Sequence, residues 1–382
     1  MMYSDMIPIK CAIIRGGTSK GIFIKKNELP DNPAERDRVI LSIFGGVDPR
    51  QIDGLGGADV LTSKLAIIGP STRSDADVDY TFGQVSFEQP FVDYGGNCGN
   101  ISSAVGPFAI DEGLVPAVEP ITKVRIHCTN SGKLLTAEVP VKDGKALVSG
   151  ACKIDGVNGT GAQIRMDWSD MAGTVTGTLL PTGHPRDIIT VGDNRYEVSL
   201  VDMGNPLVFI AAEALGMKGT ESPAEIEANK PLMNTIEQIR GECAKLFGLV
   251  ERAEDATVKS PYSPFFAIVS KPAPYTAING TQIEAGSMDV ACRLLFMLRV
   301  HKAYPITGTV CTGVAARIPG TVVWDCTEES SCARTTVRIG HPSGIVAPEI
   351  QVSKEGASYS VRFATVTRTA RRIMDGTVYI KK

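Results

Sequence analysis

The chain has 382 residues and a formal net charge of -3, with 43% hydrophobic and 21% charged residues. This length predicts two domains of ordinary size, and the composition is typical of a globular protein. The acidic balance and the lack of a basic tract exclude nucleic acid as an expected partner. Because no apolar run approaches the ~18 residues of a membrane span, we expect a cytoplasmic protein without a membrane partner.

Nine cysteines are scattered along the chain, and only four histidines accompany them. No CxxC pair occurs. This arrangement indicates neither a disulfide framework nor a zinc site, so we expect reduced thiols and no bound metal. Most of these cysteines are expected to fill the core.

In the N-terminal half, alternation of apolar and polar residues predicts strands, and capping residues predict one helix. Asn32-Pro33-Ala34-Glu35 is typical of a helix start, and Gly45-Gly46 is typical of its end. Pro107 is expected to kink the helix that follows Cys98. The predicted strands are 7–14, 22–24, 60–68 and 78–82, one directly before Cys98, and several over 121–150.

The C-terminal half repeats this plan. Residues 150–190 are rich in Gly, Asp and Thr, so we predict domains at 1–185 and 186–364. The further predicted elements are a strand at 196–203, a helix from Ser222 to about Phe247, a strand at 265–269, an amphipathic helix at 287–301, a helix opening near Cys311, and strands over the last ~50 residues.

The segment Gly95-Gly96-Asn97-Cys98-Gly99-Asn100 is a tight turn that leads into an apolar helix. Free backbone N–H groups and the helix dipole at such a start favour negative charge and the thiolate form of cysteine. The turn can therefore hold a carboxylate and place a proton-transfer group beside it. The alternative is a buried structural cysteine.

The two halves look like an internal duplication, in which each has a cysteine beside glycine at the opening of a short apolar helix. Two facing halves would place Cys98 and Cys311 across one cleft, where two thiols can act as acid and base on a carbon acid. The alternative is two unrelated buried cysteines.

Lys64 lies in an apolar run. If its strand is central, burial destabilises the ammonium form and prepares the amine as a general base. The alternative is an edge strand from which the amine points into water.

Two polar loops are candidate carboxylate sites. Gly16-Gly17-Thr18-Ser19-Lys20-Gly21 lacks the spacing of a nucleotide P-loop, but its N–H and hydroxyl donors can hold a carboxylate. In the loop Gly340-His341-Pro342-Ser343-Gly344, the histidine either donates a hydrogen bond to a carboxylate or is a surface residue. The alternatives are plain turns. The chain has no GxSxG or HExxH motif to support a hydrolase.

Five blocks together resemble the PrpF family, which comprises methylaconitate cis-trans isomerase-like proteins with the diaminopimelate epimerase fold. The resemblance implies an α/β (α+β) fold of two pseudo-symmetric halves, each with a sheet wrapped around a central helix. It implies that the final strand, 365–382, returns to the first half. It also implies self-association and no organic cofactor or metal. The blocks are RGGTSKG (15–21), GGAD-x-LTSK (56–64), GGNCGN (95–100), CTG-x-AARIPGT (311–321) and GHPSG (340–344).

By motif match, the resemblance implies that Lys64 and Cys98 handle the proton, and Cys311 stands where the epimerase relatives keep a second catalytic cysteine. Ser19 falls in the loop that would hold the substrate. The expected substrate-binding residues are Thr18, Ser19, Ser63, Asn97, Gly99, Asn100, Thr312, Gly313, His341 and Ser343.

The expected reaction is a cofactor-independent 1,3-allylic proton transfer by an isomerase on a small unsaturated di- or tricarboxylate. For 2-methylitaconate the product would be 2,3-dimethylmaleate. Two alternatives share the dienolate chemistry, namely cis-trans isomerisation of 2-methylaconitate or aconitate, and tautomerisation of an oxalomesaconate-like acid. A carboxylate-binding protein without activity is the alternative from another class.

Overall fold

The computed structural model describes residues 5–356 and 358–382. The chain divides into two compact units, which are described separately below. Unit 1 comprises the chain up to Met166 together with Thr367–Lys382, and unit 2 is Asp167–Val366. The boundary expected from composition, at residues 185 and 186, lies further along the chain than this division. Within the described residues, no helix combines the length and the apolar character needed to cross a bilayer.

Most of the secondary structure is β. The strands are β1 (Met6–Gly16), β2 (Ser19–Lys25), β3 (Lys64–Pro70), β4 (Val78–Val85), β5 (Val92–Asp93), β6 (Ile121–Cys128), β7 (Lys133–Lys142), β8 (Lys145–Ala146), β9 (Ile164–Asp167), β10 (Asp187–Val191), β11 (Asn194–Met203), β12 (Asn205–Ala211), β13 (Phe265–Ser270), β14 (Tyr275–Thr276), β15 (Gln282–Ile283), β16 (Val290–Phe296), β17 (Arg299–Val300), β18 (Ile339–His341), β19 (Gly344–Val346), β20 (Glu349–Glu355), β21 (Ser358–Arg368) and β22 (Ala370–Lys381).

The α-helices are shorter and lie between these strands. They are α1 (Pro33–Phe44), α2 (Gly99–Ser102), α3 (Val105–Asp111), α4 (Pro223–Ala228), α5 (Lys230–Leu246), α6 (Ala256–Lys259), α7 (Ile306–Ala315) and α8 (Val322–Cys326).

The sheet of unit 1 follows the order β9-β7-β6-β4-β3-β2-β1-β22, with β5 on β4 and β8 on β7. The last strand, β22, runs antiparallel to β1 from the pair Met6 and Lys381 to the pair Gly16 and Ala370. The C-terminal strand therefore joins the sheet that the first strand begins.

The sheet of unit 2 repeats the pairing pattern of unit 1. In unit 1, β1–β2 are antiparallel, β2–β3 parallel, β3–β4 antiparallel, β4–β6 parallel and β6–β7 antiparallel. The same succession occurs in β11–β12, β12–β13, β13–β16, β16–β18 and β18–β19. Helices fall at matching places, since α1 and α4–α5 follow the second strand, and α2–α3 and α7–α8 follow the fourth. The internal duplication predicted from the sequence is thus present in the topology.

Each unit has a short apolar helix that is almost entirely buried. In α3, Val105–Ile110 are all buried, and Gly106 lies so close to Val139 of β7 that a methyl group would not fit. In α7 every residue is buried. A helix that is apolar on every side belongs inside the core, so each sheet has such a helix packed against it.

The helix ends that the capping patterns predicted are confirmed. The side chain of Asn32 accepts a hydrogen bond from the N–H of Glu35, and α1 ends at Gly45 in the left-handed conformation. Ser222 and Glu225 form a reciprocal capping box at the start of α4. The helix predicted from Ser222 onwards is interrupted at Asn229, which caps the following helix.

The helix predicted at 287–301 is wrong, because this segment forms β16 and β17. Every residue of β16 is buried, since β13 and β18 flank it on its two edges and both of its faces are covered. A strand buried on both faces is a continuous apolar run without alternation, and periodicity alone does not separate it from a buried helix.

Two further boundaries differ from the prediction. The strand predicted from Val60 begins only at Lys64, because the N–H groups of Thr62 and Ser63 turn back to the carbonyl of Asp59. The helix after Cys98 is split into α2 and α3. Pro107 lies in the first turn of α3, where its missing N–H is not needed.

We predict that Asn32→Ala lowers the free energy of unfolding by ~1 kcal/mol, because the first turn of α1 loses its side-chain acceptor. Chemical denaturation measures this change. Asn32→Asp keeps an acceptor at the same position and serves as the control, with stability close to that of the wild type. Equal losses in both variants would contradict the assignment of the cap.

Candidate active site

Lys64 is the first residue of β3 and lies between two neighbouring strands in the middle of the unit 1 sheet. It pairs with Gly21 of β2 on one side and with Gln84 of β4 on the other. Its side chain is only 3% exposed. The central-strand interpretation of Lys64 is therefore correct, and the amine does not project into bulk water.

The amine of Lys64 has specific partners in this buried position. Its Nζ donates a hydrogen bond of 2.8 Å to Oε1 of Gln84 and lies 5.4 Å from the centroid of the Phe82 ring. It also forms a hydrogen bond with the side chain of Cys98. Burial lowers the pKa of Lys64 below its usual value, while the charges of Cys98 and Asp59 act in the opposite direction. The site therefore places an amine next to a thiol.

Cys98 stands at the N-cap of α2, as the glycine- and asparagine-rich turn predicts. It is 8% exposed, and its carbonyl accepts hydrogen bonds from the N–H and hydroxyl groups of Ser102. The N–H groups of Gly99 and Asn100, at the first two positions of α2, donate to no partner among the described residues. Asn97, directly before Cys98, is also buried. This end of the helix thus offers backbone donors beside the Lys64–Cys98 contact.

The loop between β1 and β2 packs directly on the start of α2. The N–H of Thr18 donates to Oδ1 of Asn100, and Nδ2 of Asn100 donates to the hydroxyl of Thr18. Gly17 has a φ of +51°, and a Cβ there would lie 2.1 Å from Oδ1 of Asn100. A side chain at position 17 would therefore displace Asn100, which explains the glycine. Thr18 and Asn100 are therefore in direct contact within unit 1.

Ser19, the first residue of β2, is 3% exposed. Its hydroxyl has no hydrogen-bond partner among residues 5–356 and 358–382. A buried hydroxyl without a partner is costly, so this group is suited to a ligand.

Ser63 has a different role from the predicted one. Its hydroxyl donates a hydrogen bond of 2.6 Å to Oε1 of Gln51, which also accepts from the N–H of Ala58. The carbonyl of Ser63 accepts from Nε2 of Gln84. Ser63 therefore fixes the turn that presents Lys64, and its hydroxyl is already used.

Gln84 and Gln51 belong to the surroundings of Lys64 but are not among the residues predicted from the sequence. Both are almost fully buried. For Gln84, the available signal was a polar residue between Gly83 and Val85 at the end of a predicted strand. Gln84 meets Lys64 through the pairing of β3 with β4, and Gln51 meets Ser63 across a loop. The sequence alone reveals neither contact.

Cys311 does not lie at a helix start, and this part of the prediction is wrong. It is the sixth residue of α7, whose N-cap is Pro305, so its N–H belongs to the helix interior. Its thiol is fully buried and lies 3.5 Å from the carbonyl of Val201. Burial, and to a smaller extent the charge of Asp202, raises the pKa of Cys311 well above its usual value. The environment of Cys311 is that of a structural thiol.

The other residues predicted in unit 2 are also held by internal contacts. The hydroxyl of Thr312 lies 2.8 Å from that of Tyr304, and the Tyr304 ring stacks on the ring of His341 at 6.2 Å. Gly313 packs against Ile350 of β20.

The loop 340–344 is folded tightly upon itself. Nδ1 of His341 accepts a hydrogen bond from the N–H of Ser343, and the Ser343 hydroxyl donates to the carbonyl of Lys302. His341 is 2% exposed, so the surface alternative for this histidine is wrong. Among the described residues, no group of three or more His, Cys, Asp and Glu side chains could hold a metal ion.

The family model described as PrpF protein matches residues 6–381. The chain belongs to the PrpF family. It is 53% identical over 380 residues to 3-methylitaconate isomerase of Eubacterium barkeri, with 99% of both chains covered. It is 38% identical to 4-oxalomesaconate tautomerase of Pseudomonas putida, with 97% of this chain and 96% of the relative covered. It is 36% identical to 2-methyl-aconitate isomerase of Shewanella oneidensis, with 100% and 99% covered.

Solved structures of other proteins place this PrpF chain in the predicted fold class. A crystal structure of methylitaconate-delta-isomerase superposes with a TM-score of 0.83 at 52% identity, covering 99% of this chain and 97% of the other. A hydroxyproline epimerase from Agrobacterium vitis superposes with a TM-score of 0.57 at 12% identity, covering 100% and 95%. The expected diaminopimelate epimerase-like fold is therefore confirmed.

The buried amine predicts a pH dependence of stability. Because the pKa of Lys64 is lower in the folded state, the unfolded chain binds more protons between that value and the ordinary value of ~10.4. The free energy of unfolding of the wild type should therefore rise with pH through this window relative to Lys64→Met, by up to ~1.4 kcal/mol per pH unit.

Urea denaturation at a series of alkaline pH values measures this difference. Lys142→Met is the control, because Lys142 is exposed and its loss should leave the pH profile of the wild type unchanged. Parallel profiles for the wild type and Lys64→Met would contradict the burial of the amine.

Proposed function

We propose that this protein is an isomerase that moves a proton along the carbon skeleton of a small unsaturated dicarboxylate, converting methylitaconate to 2,3-dimethylmaleate without a cofactor. The observation that carries the proposal is the buried hydrogen bond between Lys64 and Cys98 at the start of α2. The 53% identity to 3-methylitaconate isomerase over nearly the whole chain supports this substrate.

The reaction is a 1,3-allylic shift. A base removes the proton from the methyl-bearing carbon next to one carboxylate, and the electron pair of that C–H bond enters a dienolate. The methylene carbon then takes up a proton, and the double bond moves to the centre of the molecule. One proton is taken and one returned, so no oxidant or reductant is required.

We assign proton abstraction to the Lys64 amine, because burial favours its neutral form. The Cys98 thiol then protonates the methylene carbon. The proton on the resulting Lys64 ammonium passes to the Cys98 thiolate through their hydrogen bond, which restores the starting state. Such a positioned acid–base pair contributes typically ~10²–10⁴-fold to the rate.

The negative charge of the dienolate needs donors of its own, because a proton beside a carboxylate is only weakly acidic. We assign this role to the N–H groups of Gly99 and Asn100. We assign the hydroxyl of Ser19 to binding of the substrate. Each donor of this kind typically contributes ~10²–10³-fold to the rate. Thr18 contributes indirectly, since it orients the side chain of Asn100.

We predict that Lys64→Ala abolishes turnover and that Cys98→Ser loses most of it, by ~10²-fold or more, because each variant removes one half of the proton-transfer pair. Proton NMR of methylitaconate with each purified variant measures the rate. Circular dichroism checks that both variants remain folded. Near-normal activity of Lys64→Ala would remove Lys64 from the mechanism.

Cys311→Ser is the matched control for Cys98→Ser. The same substitution is made in unit 2, where the thiol is enclosed and lies within the helix interior. We expect it to retain most of the activity. A loss equal to that of Cys98→Ser would show that Cys311 takes part in the proton transfer.

The substrate is tested by a panel of acids in D₂O, containing methylitaconate, 2-methylaconitate, aconitate and an oxalomesaconate-like acid. We expect deuterium to enter the methylene-derived methyl group of dimethylmaleate. Preferred turnover of a tricarboxylate would assign the aconitate-type or tautomerase reaction instead, which relatives at 36% and 38% identity carry in their names. Binding without deuterium exchange in any acid would indicate a carboxylate-binding protein.

Two other expectations from the sequence belong to this proposal. We propose that the protein works in the cytoplasm with reduced thiols, and that it self-associates as the family resemblance implies. All nine cysteines are free in the structure. Light scattering on the purified protein measures the mass of the assembly.

A further inference from the structure

We propose that Arg368, at the end of β21, binds a carboxylate of the substrate in unit 1. This inference rests on the proposed function, and it adds a positive group to the donors of the β1–β2 loop and α2. Of the two carboxylates of the substrate, Arg368 binds the one that does not take up the dienolate charge. Arg368 is thus a binding residue that also selects a dicarboxylate over a monocarboxylate.

Arg368 is close to the residues of the candidate site. A Cβ built on Gly17 would lie 3.3 Å from Cδ of Arg368 and 2.1 Å from Oδ1 of Asn100. The two side chains are therefore neighbours over the same glycine. Since Asn100 is two residues after Cys98 and is hydrogen-bonded to Thr18, Arg368 stands beside the loop that carries the proposed substrate donors.

The guanidinium of Arg368 is buried without a counter-ion. The residue is 5% exposed, and its Nη1 donates only to the carbonyl of the preceding Thr367. Its Nε has no hydrogen-bond partner, and the side chain forms no ion pair with any described residue. Burial lowers the pKa of Arg368 to about 10, and the interaction with Cys152 opposes this only weakly. A buried charge with unused donors is costly unless an anion pairs with it.

A second arginine, the half-buried Arg15, anchors the same loop. Arg15 and Arg371 lie directly opposite each other on β1 and β22. Burial, and to a smaller extent the charge of Arg371, lowers the pKa of Arg15. Like charges in such a pair destabilise a sheet. Neither arginine forms an ion pair with a described residue. Nη1 of Arg15 donates instead to the carbonyls of Gly17 and Thr369, which anchors the loop.

These observations favour a carboxylate over other ligands. A guanidinium matches the two oxygens of a carboxylate in a planar, paired geometry. The glycine loop has positive charge from the buried Arg368 and the half-buried Arg15, whereas Arg371 is exposed to solvent. A substrate with two carboxylates can place one near the N–H groups of Gly99 and Asn100 and the other on Arg368.

The test compares Arg368→Gln and Arg368→Lys with the wild type, using methylitaconate for turnover and 2,3-dimethylmaleate and its monomethyl ester for binding. We expect Arg368→Gln to raise the KM for methylitaconate and weaken dimethylmaleate binding by ~10- to 100-fold. Arg368→Lys should recover part of this loss because it keeps the charge. Arg362→Gln is the matched control, since Arg362 lies on the same strand but pairs with Glu355 at the surface.

The monoester separates binding from a merely structural role. In the wild type, esterification should weaken binding, whereas in Arg368→Gln the dicarboxylate and the ester should bind nearly equally. The melting temperature of ligand-free Arg368→Gln should equal or exceed that of the wild type, because the variant no longer buries an unpaired charge. An unchanged preference for the dicarboxylate, or a lower melting temperature with unchanged affinity, would overturn the inference.

These experiments distinguish a failure of the inference about Arg368 from a failure of the proposed reaction. If the wild type binds dimethylmaleate without interconverting it with methylitaconate, the proposed reaction fails, while the comparison of dicarboxylate and ester still tests Arg368. If dimethylmaleate does not raise the melting temperature of the wild type at all, the inference about Arg368 is overturned as well.

Discussion

The hydrogen-bonded burial of the Lys64 amine is the constraint on which the site depends. An amine removed from water in a central strand needs partners, and Gln84, Cys98 and the face of Phe82 supply them. Gln84 in turn holds the carbonyl of Ser63. The turn before β3, the middle of the sheet and the start of α2 are thus connected through a single side chain.

The two copies of the duplicated topology differ in the residues at the positions of Lys64 and Cys98. The position of Lys64, the first residue of the third strand of its pattern, is occupied in unit 2 by Phe265. The N-cap of the following helix is Cys98 in unit 1 and Pro305 in unit 2. The second copy keeps the architecture without the amine or the thiol at the equivalent places. Cys311 therefore matches Cys98 in the local sequence but not in structural position.

Arginine is arranged in unit 1 in a way that packing alone does not explain. Arg368 is buried and Arg15 is half-buried beside one glycine loop, and both lack carboxylate partners among the described residues. By contrast, the buried carboxylate of Asp289 in unit 2 is paired with Arg334 and Arg338. Of these two buried charges, only that of Arg368 is left unpaired, and the anionic ligand proposed above would neutralise it.

The sequence by itself determined the family and the capped ends of α1 and α4, and it singled out Lys64 and Cys98 as candidates. These depend on local contacts or on residues that stand together in short blocks. The tertiary structure alone decided that 290–296 is a strand, that Cys311 is enclosed within a helix, and that Gln84 and Arg368 adjoin the site. Burial on both faces of a strand and contacts between distant segments leave no periodic signal along the chain, since they arise only when the sheet is assembled.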